Sequence, residues 1–125
     1  MIFSKAKIIV VKKIKYYSEE DTRDLRLALE DRVLNWSKVT TKKMFGCPCY
    51  QVMGKIFIFL VTKGIVITQL TEVEIDDLSQ KYETGFFQAG KKIVKKWIRL
   101  SIEPNDLDKI MSYVRKSYES ALQNK

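Results

Sequence analysis

Two cysteines stand one residue apart at Cys47-Pro48-Cys49, and the chain has no other thiol. Two thiolates are half of a tetrahedral zinc site, and because the chain has no histidine, such a site would need the thiols of a second copy. A second interpretation is a redox pair, since the neighbouring Lys42 and Lys43 would lower a thiol pKa. The default interpretation is two reduced cysteines on one face of a strand that pack as small apolar side chains.

A second group of residues combines cations with a tryptophan. If residues 93–102 are extended, Lys95, Trp97 and Arg99 share one face of a strand, opposite its apolar residues. A tryptophan between two cations can stack on a base while the cations neutralise phosphates. The competing interpretation buries Trp97 beneath a helix, with lysine stems lying over it. The candidate nucleic-acid or anion site comprises Lys42, Lys43, Lys91, Lys92, Lys95, Lys96, Trp97 and Arg99.

The charge balance suits such a site. The chain has 23 Lys+Arg against 15 Asp+Glu, a net charge of +8. The stretch between Asp31 and Glu72 contains lysines and no acid, as do the first seventeen residues. A field of this sign attracts polyanions: nucleic acid, acidic proteins or anionic lipid headgroups. The alternative is that lysine serves only solubility.

Catalytic patterns are not found in the sequence. Because the chain has no histidine, proton transfer would depend on carboxylates, lysine, tyrosine or cysteine. The acids are found mainly at the predicted helix starts, at 19–24 and 72–77, where negative charge stabilises the helix dipole. No glycine-rich phosphate loop or serine-nucleophile motif occurs. We therefore expect no enzyme, no catalytic residue, no metal and no cofactor.

Periodicity and turn chemistry predict the elements that must position these residues. The first half of the chain is predicted to hold a strand at 6–14 and a helix from Ser18 with an apolar stripe reaching Trp36. Three strands follow at 48–53, 55–62 and 65–70, separated by glycine turns at Met53-Gly54 and Lys63-Gly64. The second half is predicted to hold a helix from Thr71 to about Tyr82, an irregular loop at 84–92, a strand at 93–102 and a last helix whose first turn holds Pro104.

This order predicts an α+β fold: an antiparallel sheet of about five to six strands covered by helices on one face, a two-layer sandwich. In strands such as 56–61 the residues that point to either face of the sheet are apolar. The face away from the helices would therefore be too apolar to be exposed to water. Homodimerisation through that face, or coverage by the N-terminal strand, would resolve this. We expect a homodimer, with residues 1–17 a strand-like extension and 18–125 a single domain.

A family resemblance rests on the residues Lys42-Lys43-Met44-Phe45-Gly46, Pro48-Cys49, Gly54-Lys55-x-Phe57 and Lys96-Trp97-Ile98-x-Leu100, with an amphipathic closing helix. Over about residues 22–123 this pattern resembles the N-terminal domain of the TfoX/Sxy competence-regulator family, departing from it at Cys47 and Met53. The resemblance implies a secretion-chaperone-like α+β domain, no catalytic residue, and a regulatory role, since family members promote expression of DNA-uptake genes.

The signature also has a physical interpretation. Met44 and Phe45 would pack into the core where the chain enters the sheet. Gly46 would permit a backbone conformation or a close approach that a Cβ forbids. Pro48 tolerates only an edge or strand-start position. The functional alternative makes Lys42-Lys43 an anion contact beside a nest of backbone amides.

The sequence therefore predicts a cytoplasmic, non-enzymatic regulatory or binding domain that acts through a protein partner or self-association. No apolar run is long enough to cross a membrane, and no secretory signal is apparent. The alternative function is weakly sequence-selective nucleic-acid binding through strand 91–99 with Lys42 and Lys43.

Overall fold

The computed structural model describes residues 15–123, so the predicted strand at 6–14 lies outside the described residues. The helices are α1 (Glu19–Val33), α2 (Glu72–Lys81) and α3 (Leu107–Gln123), the last preceded by a 3-10 turn at Pro104–Asp106. The strands are β1 (Thr40–Met44), β2 (Cys47–Val52), β3 (Lys55–Val61), β4 (Gly64–Ile67), β5 (Thr84–Ala89) and β6 (Lys92–Ser101).

The six described strands form one antiparallel sheet in the order β1-β2-β3-β4-β6-β5, and the helices pack on one face of it. The predicted α+β two-layer sandwich is therefore confirmed. None of the described helices is long and apolar enough to span a lipid bilayer.

Capping residues begin two of the helices where the sequence predicts. The Ser18 hydroxyl accepts a hydrogen bond from the Asp21 amide at 3.4 Å ahead of α1. Thr71 and Glu74 form a reciprocal capping box ahead of α2, with distances of 2.9 and 3.2 Å. Both arrangements satisfy amides that the first turn of a helix leaves without partners.

The main core lies between the helices and the sheet. Leu25 and Leu29 of α1 and Val114 and Tyr118 of α3 are buried there against the strands. Phe57 joins them because β3 bulges: Tyr50 pairs with Ile58 and Gln51 with Ile56, which leaves Phe57 without a partner on β2. The Phe57 carbonyl instead accepts a hydrogen bond from the Ser117 hydroxyl of α3 at 2.6 Å.

The opposite face of the sheet carries a second apolar cluster, here called the second layer. No residue of the described helices belongs to it, yet its members are buried within the single chain. The second layer comprises Cys47, Cys49, Phe59, Val61, Val66 and Phe87. The dimer prediction depended on a bare apolar face, and this burial removes the need for it.

The second layer is covered in part by the outer end of the β5–β6 pair. Phe59 and Phe87 lie three strand spacings apart, about 14 Å in a flat sheet. Their ring centroids are nevertheless 5.1 Å apart. Residues 87–94, here called the distal hairpin, must therefore fold back over the second layer.

The register shows where that fold occurs. Phe86 pairs with Ile98 but Phe87 pairs with Val94, so residues 95–97 have no partner on β5. Strand β4 pairs with β6 only from Ile98 onward, so it does not hold the distal hairpin either. An interruption of this kind bends a strand pair sharply.

Several sequence expectations need correction. Residues 84–92 are not an irregular loop, because 84–89 form β5, and β1 was not predicted at all. The strand predicted at 65–70 ends at Ile67. The turn predicted at Lys63-Gly64 is formed by Thr62 and Lys63, between the paired residues Val61 and Gly64.

Gly64 is required for another reason. A Cβ on Gly64 would lie 2.4 Å from the Leu100 carbonyl oxygen, so the glycine allows β4 to approach β6. By contrast Met53-Gly54 forms a tight turn as predicted, with positive φ at both residues.

Candidate functional site

Charge is divided between the two layers of the molecule. All 15 acids lie between residues 19 and 119, and none of them falls within a described strand. The strands carry the cations Lys42, Lys43, Lys55, Lys92, Lys95, Lys96 and Arg99. Within residues 15–123, every ion pair joins side chains in or beside the helices. The strand cations therefore have no acidic partner among the described residues. Lys42, Lys92 and Arg99 pair with residues of the second layer or packed against it, so they make that face of the sheet positive.

The tip of the β1–β2 hairpin is aromatic and exposed. Phe45 and Gly46 make a two-residue turn with φ of 55° and 79°, between the paired residues Met44 and Cys47. The predicted core role of Phe45 is wrong, because its side chain is 53% exposed. Its ring instead lies 5.4 Å from the ring of Tyr16. Gly46 fulfils its predicted role through its conformation, since a Cβ there would meet nothing within 4 Å.

Tyr16 brings the tips of two hairpins together. Its ring lies against Phe45, while its hydroxyl accepts a hydrogen bond from the Gly90 amide at 2.8 Å. Gly90 starts the turn of the β5–β6 hairpin, where Lys91 and Lys92 are exposed. Cations that are 49 residues apart in sequence (42 and 91) therefore border one surface, here called the tip surface: Lys42, Phe45, Lys91 and Lys92.

Lys42 and Lys43 do not act as a pair. Lys42 is opposite Cys49 in the β1–β2 register and Lys43 is opposite Pro48, so their side chains project from opposite faces of the sheet. Lys42 lies on the face of the second layer and is the member of the pair that belongs to the tip surface. Pro48 is the second residue of β2, before the β2–β3 pairing begins at Cys49, which agrees with its predicted strand-start position.

Trp97 lies on the face opposite the helices, so the interpretation that buries it beneath a helix is wrong. It is partly buried in the second layer, with ring centroids 5.4 Å from Phe59 and 5.9 Å from Phe87. Phe59 and Phe87 therefore pack against the indole ring of Trp97, the ring that the nucleic-acid prediction expected to stack on a base. Lys95 and Lys96 are exposed beside it in the unpaired segment of β6.

Arg99 is exposed on β6 and lines a small cavity of about 290 Å³ with Tyr16, Phe86 and Phe87. Arg99 pairs with Val66 of the second layer, so its side chain projects from the same face of the sheet as that of Lys42. Its alternation with the buried Ile98 and Leu100 is as predicted.

The cysteines are packed as the default interpretation expects. Both are free and fully buried, and the Cys49 thiol donates to the Cys47 carbonyl at 3.3 Å. Burial raises the pKa of Cys47 to about 12 and that of Cys49 to about 11, although Lys42 opposes the shift at Cys49. Such thiols are poor nucleophiles at neutral pH, which argues against the redox interpretation. Residues 15–123 contain no cluster of three or more potential metal-binding side chains from His, Cys, Asp and Glu.

No protein-family model, curated protein or solved structure matches this chain. The TfoX/Sxy resemblance therefore stays a prediction. Of its signature residues, Gly54 turns the chain, Lys55 begins β3 and Phe57 is core, so their roles in the structure are local and structural.

A polar cleft of about 650 Å³ was missed by the sequence analysis. It lies between α1 and the β1–β2 hairpin. Arg26 donates to Glu19 at 2.8 Å and to Glu30 at 3.0 Å, and the Tyr50 hydroxyl donates to Glu30 at 2.6 Å. Tyr17 donates to Glu19 in the same network.

The network in this cleft shifts the ionisation of its members. The Arg26 hydrogen bond lowers the pKa of Glu19 to about 2, and burial together with Glu30 raises that of Tyr50. Arg26, Glu19 and Glu30 are paired with one another, and Tyr50 joins this network to β2, so the network fastens α1 to β2. Lys42 and Lys43 also line the cleft. The sequence signal was the i, i+4 spacing of Arg26 and Glu30.

Proposed function

We propose that the protein is a non-enzymatic binding domain that takes single-stranded nucleic acid on the sheet side, across the tip surface. The supporting observation is the exclusion of all 15 acids from the described strands, which leaves the sheet-side cations free to neutralise phosphates. The regulatory role implied by the TfoX/Sxy resemblance is compatible with such a ligand and stays part of the proposal.

A single strand suits this surface better than a duplex. An exposed aromatic ring can stack on an unpaired base, and the lysines beside it can contact the adjoining phosphates. Phe45 supplies the exposed ring that Trp97 does not. The positive surface belongs to strands and turns, and the helices, which could enter a major groove, carry the acids.

A protein partner or self-association is the alternative. It was predicted from the apolar second face of the sheet, which is buried within the chain. A light-scattering mass of two protomers at micromolar concentration would support it. The two buried free thiols suit a reducing compartment, so we propose a cytoplasmic location.

Fluorescence anisotropy with a labelled deoxythymidine oligonucleotide tests the proposal. We expect binding at low salt that weakens steeply as salt rises. Replacing Lys42, Lys91 and Lys92 together by alanine should weaken binding and make the log–log salt slope shallower by about 2, at about 0.7 per lost phosphate contact on a single strand.

The control removes the same charge from the helical layer, by replacing Arg23, Lys109 and Lys116 with alanine. Its net charge equals that of the first variant, but its affinity should stay near that of the wild type. Equal affinities for the two triple variants would refute a localised surface, and no binding by the wild type at low salt would refute the proposed function.

A further inference from the structure

The distal hairpin is joined to the rest of the sheet only at its base. Strand β4 pairs with β6 between Ile98 and Ser101, and residues 95–97 break the β5–β6 ladder. Beyond that break, 87–94 pair only with one another. Ladder hydrogen bonds therefore do not fix the angle between the distal hairpin and the sheet.

Side-chain contacts hold the distal hairpin over the second layer. Phe87 packs on Phe59, and Tyr16 acts as a latch between the hairpin and the body of the fold. The Tyr16 carbonyl accepts a hydrogen bond from the Thr62 amide at 3.0 Å, which anchors it to the β3–β4 turn. Its hydroxyl accepts from the Gly90 amide, and its ring lies 5.5 Å from that of Phe87.

We propose that the distal hairpin is a flap hinged at residues 95–97 and latched by Tyr16, and that a nucleic-acid strand bridging the tip surface holds it closed. The second part rests on the proposed function. Lys91 and Lys92 move with the flap, whereas Lys42 and Phe45 belong to the body of the sheet. A ligand that contacts both sides binds the closed state better and must shift the equilibrium toward it.

The buried cysteines provide a native reporter of the flap. Cys47 and Cys49 belong to the same layer as Phe87, and they are buried when the flap is closed. A thiol reagent such as dithionitrobenzoate reacts with them only after an opening event. The labelling rate at a fixed reagent concentration therefore measures how often that layer opens.

The first experiment compares two tyrosine-to-phenylalanine variants. Tyr16→Phe removes the hydrogen bond to Gly90, and at about 1 kcal/mol for a net hydrogen bond it should raise the labelling rate about fivefold. Tyr118→Phe removes a bond of the same length, 2.8 Å to the Ser37 carbonyl, on the helical side. It should leave the labelling rate unchanged in native buffer.

Equal labelling rates for Tyr16→Phe and the wild type would refute the proposal that the distal hairpin is a flap latched by Tyr16. So would equal acceleration by Tyr118→Phe, because labelling would then report global unfolding.

The second experiment repeats the wild-type labelling with a saturating deoxythymidine oligonucleotide at low salt. We expect slower labelling, and the slowing should vanish at a salt concentration that releases the oligonucleotide. Unchanged labelling with the oligonucleotide bound, as seen by anisotropy, would overturn the coupling alone. If the oligonucleotide does not bind, both the coupling and the proposed function are refuted. The Tyr16→Phe comparison still tests separately whether the distal hairpin is a flap.

Discussion

Phe45 occupies a conformation that suits other residues better. Its φ of 55° lies in the left-handed region, where a bulky side chain is unusual. The first position of such a two-residue turn favours asparagine or aspartate followed by glycine. The turn leaves the aromatic ring of Phe45 exposed beside the lysines of the tip surface.

Phe45→Asn should keep the turn but weaken oligonucleotide binding. The loss of one stacked base is worth about 1–3 kcal/mol, or roughly five- to 150-fold in affinity. Met53→Asn makes the same change at the equivalent position of the β2–β3 turn, where φ is 54°. Anisotropy should show wild-type affinity for Met53→Asn, and a loss shared by both variants would count against stacking on Phe45.

The buried thiols predict a loss of stability in alkaline solution. Their pKa values are raised from 9.0 to about 12 and about 11, so the unfolded chain releases these protons first. The stabilisation they provide is complete below pH 9 and is lost as pH rises toward 11–12. Between pH 8 and pH 10 each thiol should cost the folded state roughly 1 kcal/mol.

Urea titrations at these two pH values measure the effect. The variant with both Cys47→Ala and Cys49→Ala should lose less stability over the interval than the wild type. The comparison is made within each protein, so any packing cost of alanine cancels. Identical losses would show that other groups, such as the buried Tyr50, account for the alkaline sensitivity.

At the scale of elements, the approach of β4 to β6 depends on one glycine. In Gly64→Ala the new Cβ would meet the Leu100 backbone oxygen at 2.4 Å, and neither strand can yield without disturbing the main core. We expect a loss of about 2–3 kcal/mol in the free energy of unfolding, measured by urea titration.

Gly85→Ala is the matched control on β5. A Cβ at Gly85 meets nothing within 4 Å, so this variant should be unchanged or more stable by about 0.5 kcal/mol. Similar destabilisation of both variants would mean that flexibility, and not the close approach, sets the requirement at Gly64.

The elements that the sequence predicted are those with strong local signals. Capping residues at Ser18 and Thr71 and the apolar runs of β3 and β4 led directly to their helices and strands. Strand β1 was missed because Thr40–Met44 is almost wholly exposed and polar, with no alternation to detect. Strand β5 was missed because Gly85 and Gly90 suggested a loop.

At the scale of the whole molecule, the candidate site was predicted only in pieces. The lysine clusters near 42 and 91 were visible as runs in the sequence, and the structure places them at neighbouring tips. Their proximity depends on the bend at residues 95–97, a three-residue interruption of pairing that no local propensity encodes. For the same reason Trp97, which alternation placed on an open face, lies in the second layer.

The acids of the helices and the cations of the strands also make the molecule an electric dipole with a net positive charge. Near a negatively charged polymer, such a dipole experiences a torque that turns its strands toward the polymer before any contact forms. Orientation during diffusion shortens the search for a productive encounter, so added electrolyte should slow association more than it speeds dissociation.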